Sequence, residues 1–561
     1  MMQKLKLLCA SIALTGSVFV FDVRGAETLE LHPQTAKTNG PITPLQSLYD
    51  VKHYALQIDV QPDNQFIRGE VTMTAKSLGV MTTVELDLDP RFETLATKIN
   101  GNSVPFKKEG GKLLLSGRQM SAGMEFTTTV QYQGHPHVAE RAPWDGGFVW
   151  TKTPDGQDWV GTAVQGNGCD LYWPCKDHVY DKADSGADMV ITVPKHLSAV
   201  MNGKLIEERQ NDDDTKSFHW RTVNPIAAYH LALNVGPFKK YELTHHNKIS
   251  GADGIPLVFY HVTDDQDKIE GLIRDDFLKQ LAFFEDTLGP YPWGNEKIGI
   301  VEIPYLGMEH QTMNGYGNGF KRDPHGFDWL IQHEFSHEWF GNLLTQEGTR
   351  DFWLHEGFGF YMQPVYAQHV LGDMGYASYM WSRYNQIANC TPVVPDGEAF
   401  GDYWSDNDPY FKGAWVIHTF RRLVGDEIFW RVVRRALYDT VDPWALSYPI
   451  TPQQRNTEDF VKIASEEAGR DMAWLFDTYL KQATLPVLKV NQSEDLLELS
   501  WANTQSGDFP MPVPVMIDGT MTLVNMPGGK GSIEISENSN HQIDPHMSVL
   551  RDFGTSAKCS R

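Results

Sequence analysis

His333-Glu334-Phe335-Ser336-His337 sets two imidazoles four residues apart inside a stretch of helical apolar periodicity. On a helix that spacing projects both rings from one face, about one turn apart, where they can share a zinc ion. A third ligand candidate, Glu356, stands in Trp353-Leu354-His355-Glu356-Gly357-Phe358 at the expected start of the next helix. The competing reading, a histidine pair satisfied by surface carboxylates, is weakened by a carboxylate at this remove. Two imidazoles and one carboxylate leave a fourth zinc position open for water, as a catalytic site requires. Glu334 projects about 100° around the helix from His333, so it is read as a base rather than a ligand, taking a proton from water whose pKa zinc lowers toward 7. Asp351 is a candidate partner for the second ring nitrogen of a ligand histidine, with a solvated or capping aspartate as the equal alternative.

These residues need elements to hold them. Alternation at Tyr54, Leu56, Ile58 and Val60, then at Ile67, Val71 and Met73 after a turn at Pro62-Asp63-Asn64, predicts antiparallel sheet. Further strands are expected at 84–88, 126–132, 189–193 and 228–235, so that residues 27–240 form an all-β unit. The period changes near residue 266, where Ile269, Ile273, Phe277, Leu281, Phe284 and Leu288 share a helical face that stops at Gly289-Pro290. A strand at 297–303 follows, then helices around 327–341, 356–370, 411–424, 427–438, 457–468 and 471–482, making 241–484 a mostly helical unit. Alternation returns in Leu496, Leu497, Leu499, Val513, Val515 and Ile517, so 485–561 reads as a small β unit.

The 561 residues carry 48 Lys plus Arg against 72 Asp plus Glu, a net charge of −24 without a basic run, which argues against a nucleic-acid partner. Residues 1–26 are shaped like a secretory signal: Lys4 and Lys6, an apolar stretch from Leu7 to Phe21, then Gly25 and Ala26. Nothing else approaches the roughly 18 uninterrupted apolar residues of a membrane span, so the expected product is exported, periplasmic or secreted, without stable membrane insertion once the signal is removed. If Cys9 leaves with the signal, Cys169, Cys175, Cys390 and Cys559 remain, with three complete pairings open.

The run His333 to Asn342 followed by Glu356 resembles the M1 zinc aminopeptidases, the gluzincin group that includes aminopeptidase N and leukotriene A4 hydrolase. Gly307-Met308-Glu309 is similar to that family's Gly-x-Met-Glu-Asn motif and Tyr410-Phe411-Lys412-Gly413 to its Tyr-x-Lys-Gly motif. Gln165 ahead of Pro174-Cys175 resembles a segment of its N-terminal domain. The resemblance implies a multidomain α+β fold: an N-terminal all-β domain, a thermolysin-like, mostly helical catalytic domain and a small C-terminal β-sandwich, in a short form lacking the family's large helical C-terminal domain. It implies one zinc ion per chain on His333, His337 and Glu356, with Glu334 as general base and Tyr410 as donor to the oxyanion. It further implies that Glu309 and Gln165 receive the free α-ammonium of a peptide, while the backbone at Gly307 and Met308 aligns it.

Three positions depart from the family pattern: Leu306 replaces a glycine, and His310 and His355 each replace an asparagine. An imidazole beside Glu309 would make its charge balance depend on pH. His355 and Glu356 are expected to point apart on a helix. The competing readings are a thermolysin-type endopeptidase, which has no use for Glu309, and an inactive M1-fold binding protein, against which intact Glu334 and Tyr410 speak. An epoxide hydrolase is disfavoured by the missing helical domain.

Overall fold

The computed structural model describes residues 42–554 apart from 180, 248, 250, 252–253, 398–405, 505–508 and 537–538. The expected export signal, Cys9 and Cys559 lie outside the described residues. Within them, no helix is long and apolar enough to cross a membrane.

Strands Tyr49–Gln61 and Phe66–Ser77 form the centre of an eight-stranded sheet, joined through a tight turn at Pro62–Asn64. Tyr54, Leu56, Ile58 and Val60 all point inward, at 2% exposure or less, because one face of the sheet is packed and one is wet. Tyr49–Gln61 also pairs in parallel with Ala187–Pro194, so the sheet is not purely antiparallel. The strand expected at 228–235 is instead a 3₁₀ turn, Ala228–His230, and a short strand, Asn234–Gly236. Tyr229, His230, Leu231, Ala232 and Leu233 are all buried, so apolarity here reports burial on every side and not a pleat.

The second unit is built on a five-stranded sheet in the order Lys239–His245, Ile255–His261, Ile298–Glu302, Asn314–Tyr316, Gly307–Met308. Alternate residues of this sheet serve two different cores. Leu257, Phe259, Ile298 and Ile300 pack on the helices, whereas Val258, Tyr260, Val301 and Met308 join the core of the N-terminal sheets. Period-two geometry thus makes the sheet a shared wall, and Glu309, directly after its short edge strand, sits at the seam.

The helical run begins as α1 (Gln266–Glu270), widens into a π turn at Gly271–Phe277 and continues as α2 (Leu278–Thr287). Then come α3 (Trp329–Ser336), α4 (Glu356–Leu371), α5 (Asp373–Tyr384), α6 (Asp408–Val424), α7 (Asp426–Tyr438), α8 (Thr457–Ala468) and α9 (Ala473–Leu480). Helix α5 was not expected. Its sequence is rich in Tyr, Ser and Gly, weak helix formers, and it is held by burial of Tyr376, Tyr379, Met380 and Tyr384. Two three-stranded sheets follow, and their Leu497, Leu499, Val513 and Val515 belong to the same core as the helices.

Candidate active site

Helix α3 is anchored before it begins. Asp328 caps it, Oδ1 accepting from the backbone N–H of Leu330 (3.0 Å) and Ile331 (3.3 Å), while Oδ2 accepts from the Tyr316 hydroxyl at 2.6 Å. The cap therefore ties the helix to strand Asn314–Tyr316. The helix is shorter than the expected 327–341; it ends at Ser336, and His337 is its C-cap in helical conformation, where the chain tightens through His337 N–H to Glu334 C=O. The i,i+4 relation survives. The Nε2 atoms of His333 and His337 lie 3.3 Å apart, and Glu356 Oε2 lies 3.5 Å from the first and 3.4 Å from the second.

Such a triangle needs an occupant. His337 Nδ1 donates to the Phe340 carbonyl at 2.8 Å, which fixes the ring with Nε2 turned toward the other imidazole and a carboxylate. Ligand atoms about 2.1 Å from a tetrahedral zinc lie about 3.4 Å apart, so the three edges fit that ion. Among the described residues, His333, His337 and Glu356 form the one group of three or more His, Cys, Asp or Glu side chains close enough to share a metal. Burial alone would raise the Glu356 pKa, but the charge on His337 and hydrogen bonds from both histidines hold it well below the usual carboxylate range.

Three glycines make the arrangement possible. A Cβ on Gly359 would stand 2.5 Å from the His337 ring, and one on Gly307 would stand 2.4 Å from Glu334 Oε1, so the edge strand and α4 press directly on the ligand helix. At Gly413 a Cβ would meet Gly357 Cα at 3.2 Å. Helices α4 and α6 cross there through their first turns, which brings Tyr410 beside Glu356. The Tyr410 ring lies 6.3 Å from that of His333, and burial, then the Glu356 charge, keeps its hydroxyl protonated far beyond neutral pH. Lys412 of the same segment points elsewhere, donating to the carbonyls of Gln482 (2.7 Å) and Ala483 (2.9 Å). Burial, then Glu309 and Glu356, pushes the Glu334 pKa well above the usual range.

Glu309 gathers donors from distant parts of the chain. Its Oε1 accepts from Gln165 Nε2 at 2.6 Å and from the Tyr229 hydroxyl at 3.0 Å, and His355 Nε2 stands 3.5 Å away. Burial raises its pKa, yet the His355 hydrogen bond and the charges of His355 and His337 outweigh burial and keep it ionised. The Glu309 carbonyl accepts from Asn342 Nδ2 at 3.1 Å, which also bonds the buried Glu338. Glu338 in turn accepts from Thr312 N–H and Asn314, so one carboxylate locks the segment after Glu309 to the end of the ligand helix.

Two expectations are corrected. Asp351 does not reach a ligand histidine: it accepts from the backbone N–H (2.9 Å) and hydroxyl (2.5 Å) of Thr457, the capping role, because it sits in a 3₁₀ turn facing α8. His355 and Glu356 do not point apart, since His355 precedes α4 with ψ −71 and its ring turns back, 4.4 Å from that of His337, while Glu356 opens the helix. His310 is buried, with neither ring nitrogen bonded, and burial lowers its pKa to about 4, so it is neutral around pH 7 and adds no positive charge beside Glu309. Among the open cysteine pairings the structure forms Cys169–Cys175. Tyr229 escaped the sequence reading, and so did the contact of His355 with Glu309. An apolar run with a single tyrosine carries no signal for either.

Residues 275–479 match the family described as the peptidase family M1 domain. The matched segment is somewhat more than a third of the chain and holds the His333, His337 and Glu356 triangle. Leukotriene A-4 hydrolase of Xenopus laevis is 25% identical over 409 residues, covering 68% of this chain and 64% of that protein. Human aminopeptidase B is 28% identical over 275 residues, 46% of this chain and 39% of that one. The chain thus spans less than two thirds of the length of these relatives. Among solved structures, a variant of the M1 zinc metallopeptidase of Deinococcus radiodurans bound to a Tyr-Ser-Ala substrate matches with a TM-score of 0.65 at 21% identity, over 81% of this chain and 98% of that one. That likeness speaks for the fold, which is the expected multidomain α+β arrangement with the M1 domain following a β-rich N-terminal unit.

Proposed function

We propose that this protein is a zinc-dependent aminopeptidase that hydrolyses the N-terminal peptide bond of peptides with a free α-amine. The observation that carries the reading is the joint placement of the His333, His337 and Glu356 triangle with a buried, ionised Glu309, joined through the His355 ring. An endopeptidase has no use for that second carboxylate; a cationic terminus does.

Zinc, one ion per chain on these three residues, would supply Lewis-acid polarisation of the scissile carbonyl and an acidified water. Glu334 takes the water's proton and delivers it to the leaving amine, a role suited to a carboxylate whose burial raises its affinity for a proton. Tyr410 donates its hydroxyl to the developing oxyanion. Glu309 holds the α-ammonium with Gln165, and the edge strand Gly307–Met308 aligns the peptide backbone as an added strand. Export from the cytoplasm is supported by the Cys169–Cys175 disulfide, a bond favoured in oxidising compartments.

The test compares an aminoacyl anilide with its N-acetylated form, with and without a chelator. Cleavage of the free amine alone, abolished by the chelator and restored by zinc, is the expected result. Equal rates on both substrates would remove the aminopeptidase reading, and chelator-resistant turnover would remove the zinc.

A further inference from the structure

We infer that Tyr229, carried by the N-terminal β unit, is a positioning residue that ties Glu309 Oε1 so that the α-ammonium of the substrate is met by Oε2. The inference rests on Glu309 as the ammonium site and adds which of its oxygens acts and what selects it. Tyr229 and Gln165 donate to the same atom, Oε1, at 3.0 Å and 2.6 Å, and His355 Nε2 approaches that atom as well. A carboxylate oxygen offers two in-plane lone pairs, so Oε1 is saturated before substrate arrives and Oε2 is the oxygen left to accept.

The donor is itself fixed. Tyr229 is the middle residue of the Ala228–His230 turn, and its ring lies 3.8 Å from that of His230. His230 Nδ1 accepts from the Gln311 N–H at 3.3 Å, and Gln311 Nε2 donates to the Pro225 carbonyl at 3.2 Å. The turn is therefore clamped to the segment two residues beyond Glu309, and hydroxyl and carboxylate move as one body. Burial and the charge on Glu309 keep the hydroxyl protonated, hence a permanent donor. A glutamate side chain has three rotors, and freezing them before binding spares that entropy when the ammonium arrives.

The experiment is a cycle in the full-length, zinc-loaded protein: Tyr229→Phe, Glu309→Gln and the double variant, assayed on an aminoacyl anilide and its acetylated form. Phenylalanine keeps the ring against His230 and removes only the donor. Tyr229→Phe is expected to raise KM about tenfold, the worth of one charge-assisted hydrogen bond, with kcat within about twofold and unchanged Tm and zinc content. In the Glu309→Gln background the same exchange is expected to leave KM unchanged. Unaltered KM in Tyr229→Phe, while Glu309→Gln raises it, overturns the inference and leaves the ammonium site standing. A full tenfold added on top of Glu309→Gln, or a lowered Tm in both backgrounds, assigns Tyr229 to packing and also overturns it. If Glu309→Gln itself changes neither KM nor discrimination, the ammonium site fails and this inference falls with it.

Discussion

The His333, His337 and Glu356 cluster and the Glu309 pocket touch through the edge-on rings of His337 and His355, yet they are assembled by opposite means. The ligands come from two consecutive helices, and two of the three are a single helical turn apart. The pocket draws Gln165 from 144 residues away and Tyr229 from 80, across the boundary between two hydrophobic cores. Local geometry suffices to point two imidazoles at one ion. Placing a carboxylate that must stay charged when buried takes donors that only a second unit supplies. On the proposed function, the chemistry is held by the helices, and the selection of a free amine by the docking of the β unit onto their sheet.

Substitutions on either side separate these contributions. Glu334→Gln leaves both ligand triangle and pocket in place and removes the proton carrier; kcat is expected to fall on the order of a thousandfold or more while metal content, by elemental analysis, stays at wild type. Glu309→Ala spares the ligands and is expected to cost about 2 to 4 kcal/mol of transition-state stabilisation, read as a loss of kcat/KM confined to free-amine substrates. Gly359→Ala acts on the metal side alone: its Cβ displaces the His337 ring, and zinc affinity measured by competition with a chelator is expected to drop roughly 10- to 100-fold.

Asp351→Asn is the mildest change and tests the corrected role of that residue. Burial, against hydrogen bonds from Thr457, raises its pKa to about 6. A raised carboxylate pKa means that the folded protein binds the extra proton, so this group's contribution to stability is complete below the unfolded value near 4 and is lost as pH rises through about 6. Asparagine keeps the acceptor for Thr457 and cannot ionise. The variant is expected to gain roughly 2 kcal/mol on wild type between pH 4 and pH 7 in chemical denaturation, with kcat/KM unchanged. A large fall in zinc affinity would return Asp351 to the ligand histidines.

Much of the ligand side was legible in the order of residues because its rule is periodic. The i,i+4 imidazoles, the carboxylate opening the next helix and the alternating strands each declare their geometry within a dozen residues. Helix α5 and the Tyr229 turn were not legible, since poor helix formers and an all-apolar run become structure only through what they pack against. The asparagine replacements show the same limit: neither the orphaned ring of His310 nor the turn of His355 toward Glu309 follows from the letters around them.

Sequence by itself pointed to the meeting of His333, His337 and Glu356, because a helix converts spacing into direction. Tertiary structure alone decided that Glu309 stays ionised, that Oε1 is the oxygen taken by donors and that Asp351 serves α8. Those outcomes depend on burial and on donors far away along the chain, and the free energy of a buried charge is set by its neighbours in space.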